Sequence, residues 1–579
     1  MKAENWNSKL GVILAVAGSA VGLGNFLKFP GLVAEHGGAA FMIAYVISFF
    51  LVGVPISIVE WTLGRRGGSG GYHSAAGLLG SICKSKRLAY FGIVGAVLTM
   101  IIYCYYIYIE AWCLGYAYHF LVGNISFSSI AESGNFFVNF VGATNNGDAV
   151  RFSTDNVLIF FLISFVLNFY IIYKGVSGGI EAFCKIAMPT LIIIAVVIVI
   201  RMMTLGVVSP EYPERSINQG LGFMWNPVKV ELMQRDDNGV WKKVQPLVGE
   251  IEIKKTQQRV DKVNAQAIAK GEEIKEKIVY ISIWRQLLNP SIWIAAAGQV
   301  FFSLTVGFSA IMTYASYLKK KDDIVLSSIS SCSTNEFFEV CLGGMITVPA
   351  AVAFFGVAGA IGAGLSLFDL GFKVLPLVFF RMPFGEIFGF LFFFLLYISA
   401  ITSSISMLFP SVAFLEEATG MRRNTSTPLL GLISFFISLF VVYFSKDLKA
   451  MDTMDFWMGQ VTVYIFAMVQ TILFAWVFGA EKGRLLANEG SLLKLPKVYS
   501  FIIKYITPVV LLAVFLFWLA NNVFGIMGND DLSPYILDLF GKNPSKVACI
   551  SVAIIACVYF FYALILYSSR KYDNWKEVE

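Results

Sequence analysis

Charge is what this chain has least of. Only 14% of its 579 residues are Asp, Glu, Lys or Arg, against 57% hydrophobic, a balance too apolar for a soluble enzyme. Histidine is nearly absent: His36, His73 and His119 are scattered, so no imidazole metal centre can be built from sequence neighbours. Of eight cysteines, Cys104, Cys113, Cys184, Cys341, Cys549 and Cys557 fall in or beside apolar runs, and Cys83 and Cys332 in loops predicted to be cytoplasmic. No outer loop holds a pair, which excludes a disulfide framework, and no zinc spacing is present. No nucleophile–base pair lies at one depth, and Asp322 and Asp323 read as ordinary loop acids, so an enzyme is not expected. No repeated filter motif or ring of charges supports an ion channel. A cleavable signal peptide is also not expected, because the first apolar run is broken by glycine and continues inward.

What the chain has instead is apolar length. Twelve runs can each cross a bilayer, near 10–36, 39–63, 88–121, 156–173, 183–204, 292–318, 336–363, 384–416, 428–444, 454–479, 500–524 and 547–568. An even count places both termini on one side. Arg65, Arg66, Lys84, Lys86, Arg87, Lys174, Lys185, Lys319, Lys320, Lys321, Arg422 and Arg423 fall on that same side, so it reads as cytoplasmic. The formal charge of +6 reflects this bias and needs no nucleic-acid partner. The expectation is a multi-pass protein of the cell (inner) membrane, in contact with the lipid bilayer.

The first run contains Gly18 to Pro30, GSAVGLGNFLKFP, which cannot be a continuous lipid-facing helix. Its glycines at 18, 22 and 24 weaken the helix, and Asn25 and Lys28 bring polar groups into the membrane. Freed carbonyls favour a cation and helix-start amides favour an anion, so a zwitterion with a companion cation suits both ends. The competing reading is a glycine-packed helix crossing. The sixth run is interrupted at Phe302-Ser303-Leu304-Thr305-Val306-Gly307. Breaks at corresponding positions of two five-span halves point to an inverted repeat with its site between the halves.

The predicted fold is therefore an all-α membrane protein of twelve transmembrane helices. It comprises a 5+5 inverted repeat with discontinuous helices one and six, two additional helices and a small extracellular insertion. The division is 1–204 (spans one to five), 205–290 (extracellular loop), 291–480 (spans six to ten) and 481–579 (spans eleven and twelve with the C-terminus). Within the loop, 228–234 and 240–245 flank Asp236-Asp237-Asn238-Gly239 and read as a hairpin, and 255–277 reads as a solvated helix.

Other polar residues lie in predicted spans. Thr402, Ser403 and Ser406 offer hydroxyl oxygens suited to a hard cation such as sodium, although back-bonding to their own helix would also account for them. Gln299, Asn335 and Glu339 add polar atoms to spans six and seven, with Glu339 one helical turn from Asn335. An intramembrane carboxylate is a functional candidate because its burial is expensive. Tyr105 and Tyr106 supply hydroxyls in span three, with aromatic packing as the alternative.

Together, GSAVGLGNFLKFP, YYIYIE, GQVFFSLTVGF, TNEFFE, TSSIS and MDFW resemble the neurotransmitter:sodium symporter family, and most closely its bacterial amino-acid transporters of the leucine-transporter type. The resemblance runs from Trp6 to span twelve, apart from 228–286. It implies two sodium sites. One would use the Ala20 carbonyl, Asn25, Ser303, Asn335 and the substrate carboxylate. The second would use the carbonyls of Gly18, Val21 and Ser399 with the hydroxyls of Thr402 and Ser403. The substrate carboxylate would rest on the amides of Leu23 and Gly24 and on the Tyr106 hydroxyl. Its ammonium would meet the carbonyls of Ala20, Phe302 and Ser303. The side chain would lie among Ile102, Tyr106, Phe302, Thr305, Phe308, Ser403 and Met407.

Lys28 and Asp455 would form the outer gate, where lysine stands in place of the family's arginine and lacks its bidentate fork. Trp6, Tyr317 and Glu417 match inner-gate positions, while the usual N-terminal arginine is missing and Lys2 is one position out of register. Ser19 replaces a more usual asparagine. Glu339 stands where chloride-dependent relatives carry a small hydroxyl residue near counterparts of Tyr45, Gln299 and Ser303. A carboxylate there would supply the negative charge itself and repel chloride. The implied function is sodium-driven import of a neutral, mainly hydrophobic amino acid by alternating access, independent of chloride, with Glu339 protonating on the return step. The alternative is a non-transporting amino-acid sensor on the same fold.

Overall fold

The computed structural model describes residues 6–575 apart from 37, 207, 209–214, 227, 237–238, 248–249, 363–366, 527–531 and 574. Among the described residues, nine helices are long and apolar enough to cross a membrane. They are Ala39–Ser69 (span two), Lys86–Leu121 (three), Val176–Met203 (five), Ile324–Gly356 (seven), Gly385–Thr419 (eight), Arg423–Tyr443 (nine), Lys446–Asn488 (ten), Lys497–Asn522 (eleven) and Lys546–Ser568 (twelve). Span one is the pair Lys9–Ala20 and Gly24–His36, bent by 49° at its break. Span four is the 16-residue apolar helix Leu158–Tyr173, and span six is the pair Pro290–Ser303 and Ala310–Ala315.

Burial separates centre from rim. Of the most apolar window of span three, 78% is buried, and of span eight 72%; for spans eleven and twelve the share is 22%. Leu512, Leu516, Phe560 and Leu564 point outward from the last two spans, as lipid-facing side chains do. The first half of span one sits against spans five, seven and eight, and the two halves of span six sit chiefly against span two.

Among the described residues, Trp6, which donates to Tyr314 O, and Tyr572 and Asp573 lie on one face. Lys86 pairs with Asp573 at 2.6 Å, and the Tyr572 hydroxyl donates to Glu417 at 2.9 Å. The opposite face carries the insertion between spans five and six. There β1 (Lys229–Arg235) pairs antiparallel with both β2 (Trp241–Leu247) and β3 (Glu276–Ile281), in the order β2-β1-β3. The helix Glu250–Ala269 covers this sheet, and Val230, Leu232, Leu247 and Val260 form a small core of their own.

Several expectations need correction. The helix expected at 255–277 spans Glu250–Ala269, and the segment's far end is the third strand, because 276–281 is β-branched and can add to β1. At the hairpin tip, 237–238 lie outside the described residues, as does Lys2. Span seven begins at Ile324 rather than near 336, since its first turns are serine-rich and carry little hydropathy. Cys332 is therefore a buried helix residue and not a loop cysteine. Arg65 and Arg66 are also in a helix, the end of span two. Arg65 is buried and donates to the carbonyls of Asp322 (2.7 Å) and Glu489 (2.9 Å), joining the end of span two to two loops of the termini face.

Candidate ion and substrate site

The break in span one begins at Val21, whose ψ of 106° leaves the helix after its amide donates to Ala17 O at 2.7 Å. Asn25 holds the break from within, its Oδ1 accepting from Gly22 N at 2.8 Å. The π-helical turn Gly24–Lys28 then restarts the chain, a geometry that recurs at functional sites. Gly24 is required by close approach, because a Cβ there would stand 2.6 Å from Phe302 Cε1. The break in span six is more severe, with Thr305, Gly307 and Ser309 all at positive φ (50°, 83° and 57°). For a β-branched residue such as Thr305 this is unfavourable and must be held by its surroundings. Glu60 of span two accepts from Gly307 N at 2.7 Å and from Gln470 Nε2 of span ten at 2.5 Å, and Ser309 Oγ donates to Gly95 O at 3.0 Å.

The two breaks face each other across a cavity of about 480 Å³. Every residue expected to meet substrate lines it: Ala20, Leu23 and Gly24 from span one, Ile102 and Tyr106 from span three, Phe302, Ser303, Thr305 and Phe308 from span six, Ser403 and Met407 from span eight. The Tyr106 hydroxyl faces the Leu23 amide and Ser403. The cavity continues past Lys28, Asp455 and Phe368 to Tyr535, toward the insertion face. Ser19 also lines it and donates to Ser406 Oγ at 2.6 Å.

Two oxygen-rich clusters flank this cavity. In the first, Asn25 Nδ2 donates to Asn335 Oδ1 at 2.8 Å, and Asn335 Nδ2 donates to Ser303 Oγ at 2.6 Å. Glu339 closes the cluster: Ser303 Oγ donates to it, and so does Gln299 Nε2 at 2.5 Å. Tyr45 beside it donates to Glu336 at 2.9 Å. In the second cluster, Ser403 Oγ lies 3.2 Å from Ser19 O, 3.4 Å from Val21 O and 3.1 Å from Ser399 O, and Thr402 Oγ1 lies 2.9 Å from Ser399 O. Gly18 approaches closely enough that a Cβ there would be 3.2 Å from Thr402 Cβ. Hard oxygen donors of this kind suit an alkali or alkaline-earth cation. Among the described residues no group of three His, Cys, Asp or Glu could hold a transition metal.

The gate residues are placed differently from one another. Lys28 and Asp455 line the same cavity without forming an ion pair. The Lys28 ammonium sits 3.9 Å from the centroid of the Phe302 ring, while Asp455 accepts from Tyr105 Oη at 2.6 Å and Gln460 Nε2 at 2.8 Å. On the termini face, Trp6 donates to Tyr314 O at 3.0 Å, and its ring meets Tyr314 edge-on. Tyr314 and Tyr317 each lie 5.5 Å from Phe409, and Tyr317 stacks on His73 at 4.4 Å. Glu417 accepts from Ser74 N at 2.8 Å and from Tyr572 Oη at 2.9 Å. Burial, reinforced by Lys571, pushes the His73 imidazole down to about 4, so it is neutral near pH 7.

Sequence reasoning missed Glu60, Gln470 and the C-terminal Tyr572. A signal existed for the first, since a lone carboxylate in the apolar run of span two is expensive unless employed.

The profile of the sodium:neurotransmitter symporter family matches residues 3–210 and 271–567. The chain belongs to this family. Its members are transporters rather than enzymes, and the unmatched stretch 211–270 covers most of the inserted sheet and helix. An uncharacterized sodium-dependent transporter of Methanocaldococcus jannaschii is 25% identical over 536 residues, spanning 90% of this chain and 92% of that one. A sodium- and chloride-dependent GABA transporter 2 of Mus musculus is 23% identical over 89% of this chain and 80% of its own length. Among solved structures, MhsT in complex with L-phenylalanine superposes with a TM-score of 0.67 at 25% identity, covering 89% of this chain and 99% of that one. The fold is accordingly that of a helical membrane transporter with discontinuous spans one and six, and the family implies the use of sodium.

Proposed function

We propose that this protein imports a neutral, mainly hydrophobic amino acid by alternating access, driven by sodium bound at two sites and without need of chloride. The observation that carries this reading is the meeting of the two helix breaks at one cavity flanked by two oxygen clusters. The amides of Leu23 and Gly24 with the Tyr106 hydroxyl receive the substrate carboxylate, and the carbonyls of Ala20, Phe302 and Ser303 receive the ammonium. The first sodium takes Ala20 O, Asn25, Ser303, Asn335 and that same carboxylate, so each bound partner favours the other. The second takes the carbonyls of Gly18, Val21 and Ser399 with Thr402 and Ser403.

Ile102, Phe308 and Met407 offer no charge to an ionised side chain, and the relative solved with L-phenylalanine supports a neutral apolar substrate. Glu339, bonded to Ser303 and Gln299, supplies the negative charge that chloride would otherwise bring, and takes a proton on the return step. Closure would bring Lys28 from Phe302 to Asp455. The termini face, closed here by Trp6, Tyr317 and Glu417, is the cytoplasmic one. The halves 1–204 and 291–480 form the moving repeat, with 205–290 outside and 481–579 peripheral.

Uptake of a radiolabelled amino-acid panel into proteoliposomes, under sodium or potassium gradients and with chloride or gluconate, tests the reading. Accumulation only with sodium, and equal in both anions, is expected. Equal accumulation with potassium would remove sodium coupling, a chloride requirement would remove the role of Glu339, and binding without accumulation would favour a sensor.

A further inference from the structure

Glu110 is fully buried at the middle of span three and takes no part in the site as described. Its Oε1 accepts from Asn168 Nδ2 of span four at 2.8 Å, and its Oε2 accepts from Ser404 Oγ of span eight at 2.5 Å. Asn168 is itself fixed, donating to Ser164 O at 2.9 Å. Among the described residues no cation pairs with this carboxylate. An apolar residue at such a position would be cheaper than an acid whose only compensation is two neutral hydrogen bonds.

Its placement gives it a use. Glu110 stands one helical turn beyond Tyr106 on the same face of span three. Tyr106 faces Ser403, and Glu110 holds Ser404, the next residue along. Thr402 and Ser403 both back-bond to Ser399 O, at 2.9 and 3.1 Å. Those bonds lie within their own helix and fix the side chains relative to span eight; the rotation of span eight is set by bonds to other spans, among them Ser403 Oγ to Ser19 O, Ser19 Oγ to Ser406 Oγ, Ser411 Oγ to Ala96 O and Ser404 Oγ to Glu110. Of the bonds that reach span eight from span three, the one from Glu110 lies nearest along the helix to Thr402 and Ser403.

We infer that Glu110 is a positioning residue for the second sodium site: through Ser404 it locks the rotation of span eight against spans three and four, and so sets the direction of the Thr402 and Ser403 oxygens. This rests on the reading of those two residues as sodium ligands.

The test uses the purified full chain and sodium alone as probe, replaced by choline at constant ionic strength. The quantity read is the sodium concentration at half-maximal thermal stabilisation. Thr402→Ala calibrates loss of the site. Glu110→Leu and Ser404→Ala are expected to raise the midpoint tenfold or more, and Glu110→Gln, which can still accept from Asn168 and can donate to Ser404 Oγ in place of accepting from it, to stay within threefold of the parent protein. A merely structural acid would lower the melting temperature at every sodium concentration without moving the midpoint. If Glu110→Leu does not fold, Ser404→Ala and Glu110→Gln decide. An unmoved midpoint in Ser404→Ala beside a shifted Thr402→Ala overturns the role of Glu110 alone. An unmoved Thr402→Ala removes the sodium-site reading and this inference with it. Glu110→Gln shifting as far as Ser404→Ala would overturn the tether in favour of charge.

Discussion

Gly24 and His73 show how much single residues decide here, one at the central cavity and one on the termini face. Gly24 lies beneath the Phe302 ring, and the 2.6 Å left for a Cβ is well inside van der Waals contact. Gly24→Ala should therefore displace this ring, which lines the cavity, and lower amino-acid affinity at least tenfold in a competition binding assay. Wild-type affinity would show that Phe302 is free to move. His73 is held neutral by burial at about 4, below the ordinary 6.5 of an unfolded chain. Between those values the unfolded state binds the extra proton, so the stability that neutral His73 contributes is present above pH 6.5 and is lost as pH falls toward 4. Acidification on the termini face should loosen the contact of His73 with Ser316 (3.0 Å) and Tyr317, and His73→Gln should flatten that dependence. Cysteine labelling of a position such as Ser316→Cys across pH 4–7 would read the change, and identical profiles for the two proteins would disprove it.

At the scale of elements, the broken helices depend on groups supplied by unbroken ones. Glu60 pairs two N–H groups, of Gly307 and Gln470, that would otherwise be buried without acceptors. Leaving such donors unpaired costs ~1–3 kcal/mol each. Glu60→Leu should lower the thermal midpoint and abolish sodium-dependent substrate binding, while Glu60→Gln should retain part of both; full binding in Glu60→Leu would mean that the strained turn of span six holds itself. On the termini face, Glu417 receives a bond from Tyr572, beyond span twelve. Tyr572→Phe removes that bond alone and should raise accessibility of the termini face to a thiol reagent in the absence of sodium. No change in accessibility would leave Glu417 held sufficiently by the His73 and Ser74 amides.

For the whole molecule, the insertion carries a core of its own while its β2 touches span seven. Lys229 and Ile281 are register partners across β1 and β3, so the two ends of the appendage are neighbours and can be joined by a short linker. Its core of Val230, Leu232, Leu247 and Val260 is its own. Replacing 229–281 by such a linker should leave sodium-driven uptake within about threefold, since long surface insertions add little to closure cost. Loss of uptake by a protein that still folds would assign the appendage a part in transport. The apolar runs, the glycine-broken first span, the interrupted sixth span and the polar residues of spans seven and eight were legible in the chain itself, because a bilayer penalises every polar or unpaired group placed in it and so makes exceptions visible. The start of span seven and the burial of Arg65 were not legible, because serine-rich and basic segments read as loops until the neighbours that satisfy them are known. Tertiary structure alone decided which groups two further buried acids meet: Glu60 the amide of Gly307 at the break of span six, and Glu110 the hydroxyl of Ser404 in span eight. A carboxylate's partner is set by distance across helices hundreds of residues apart, and local sequence carries no record of that distance.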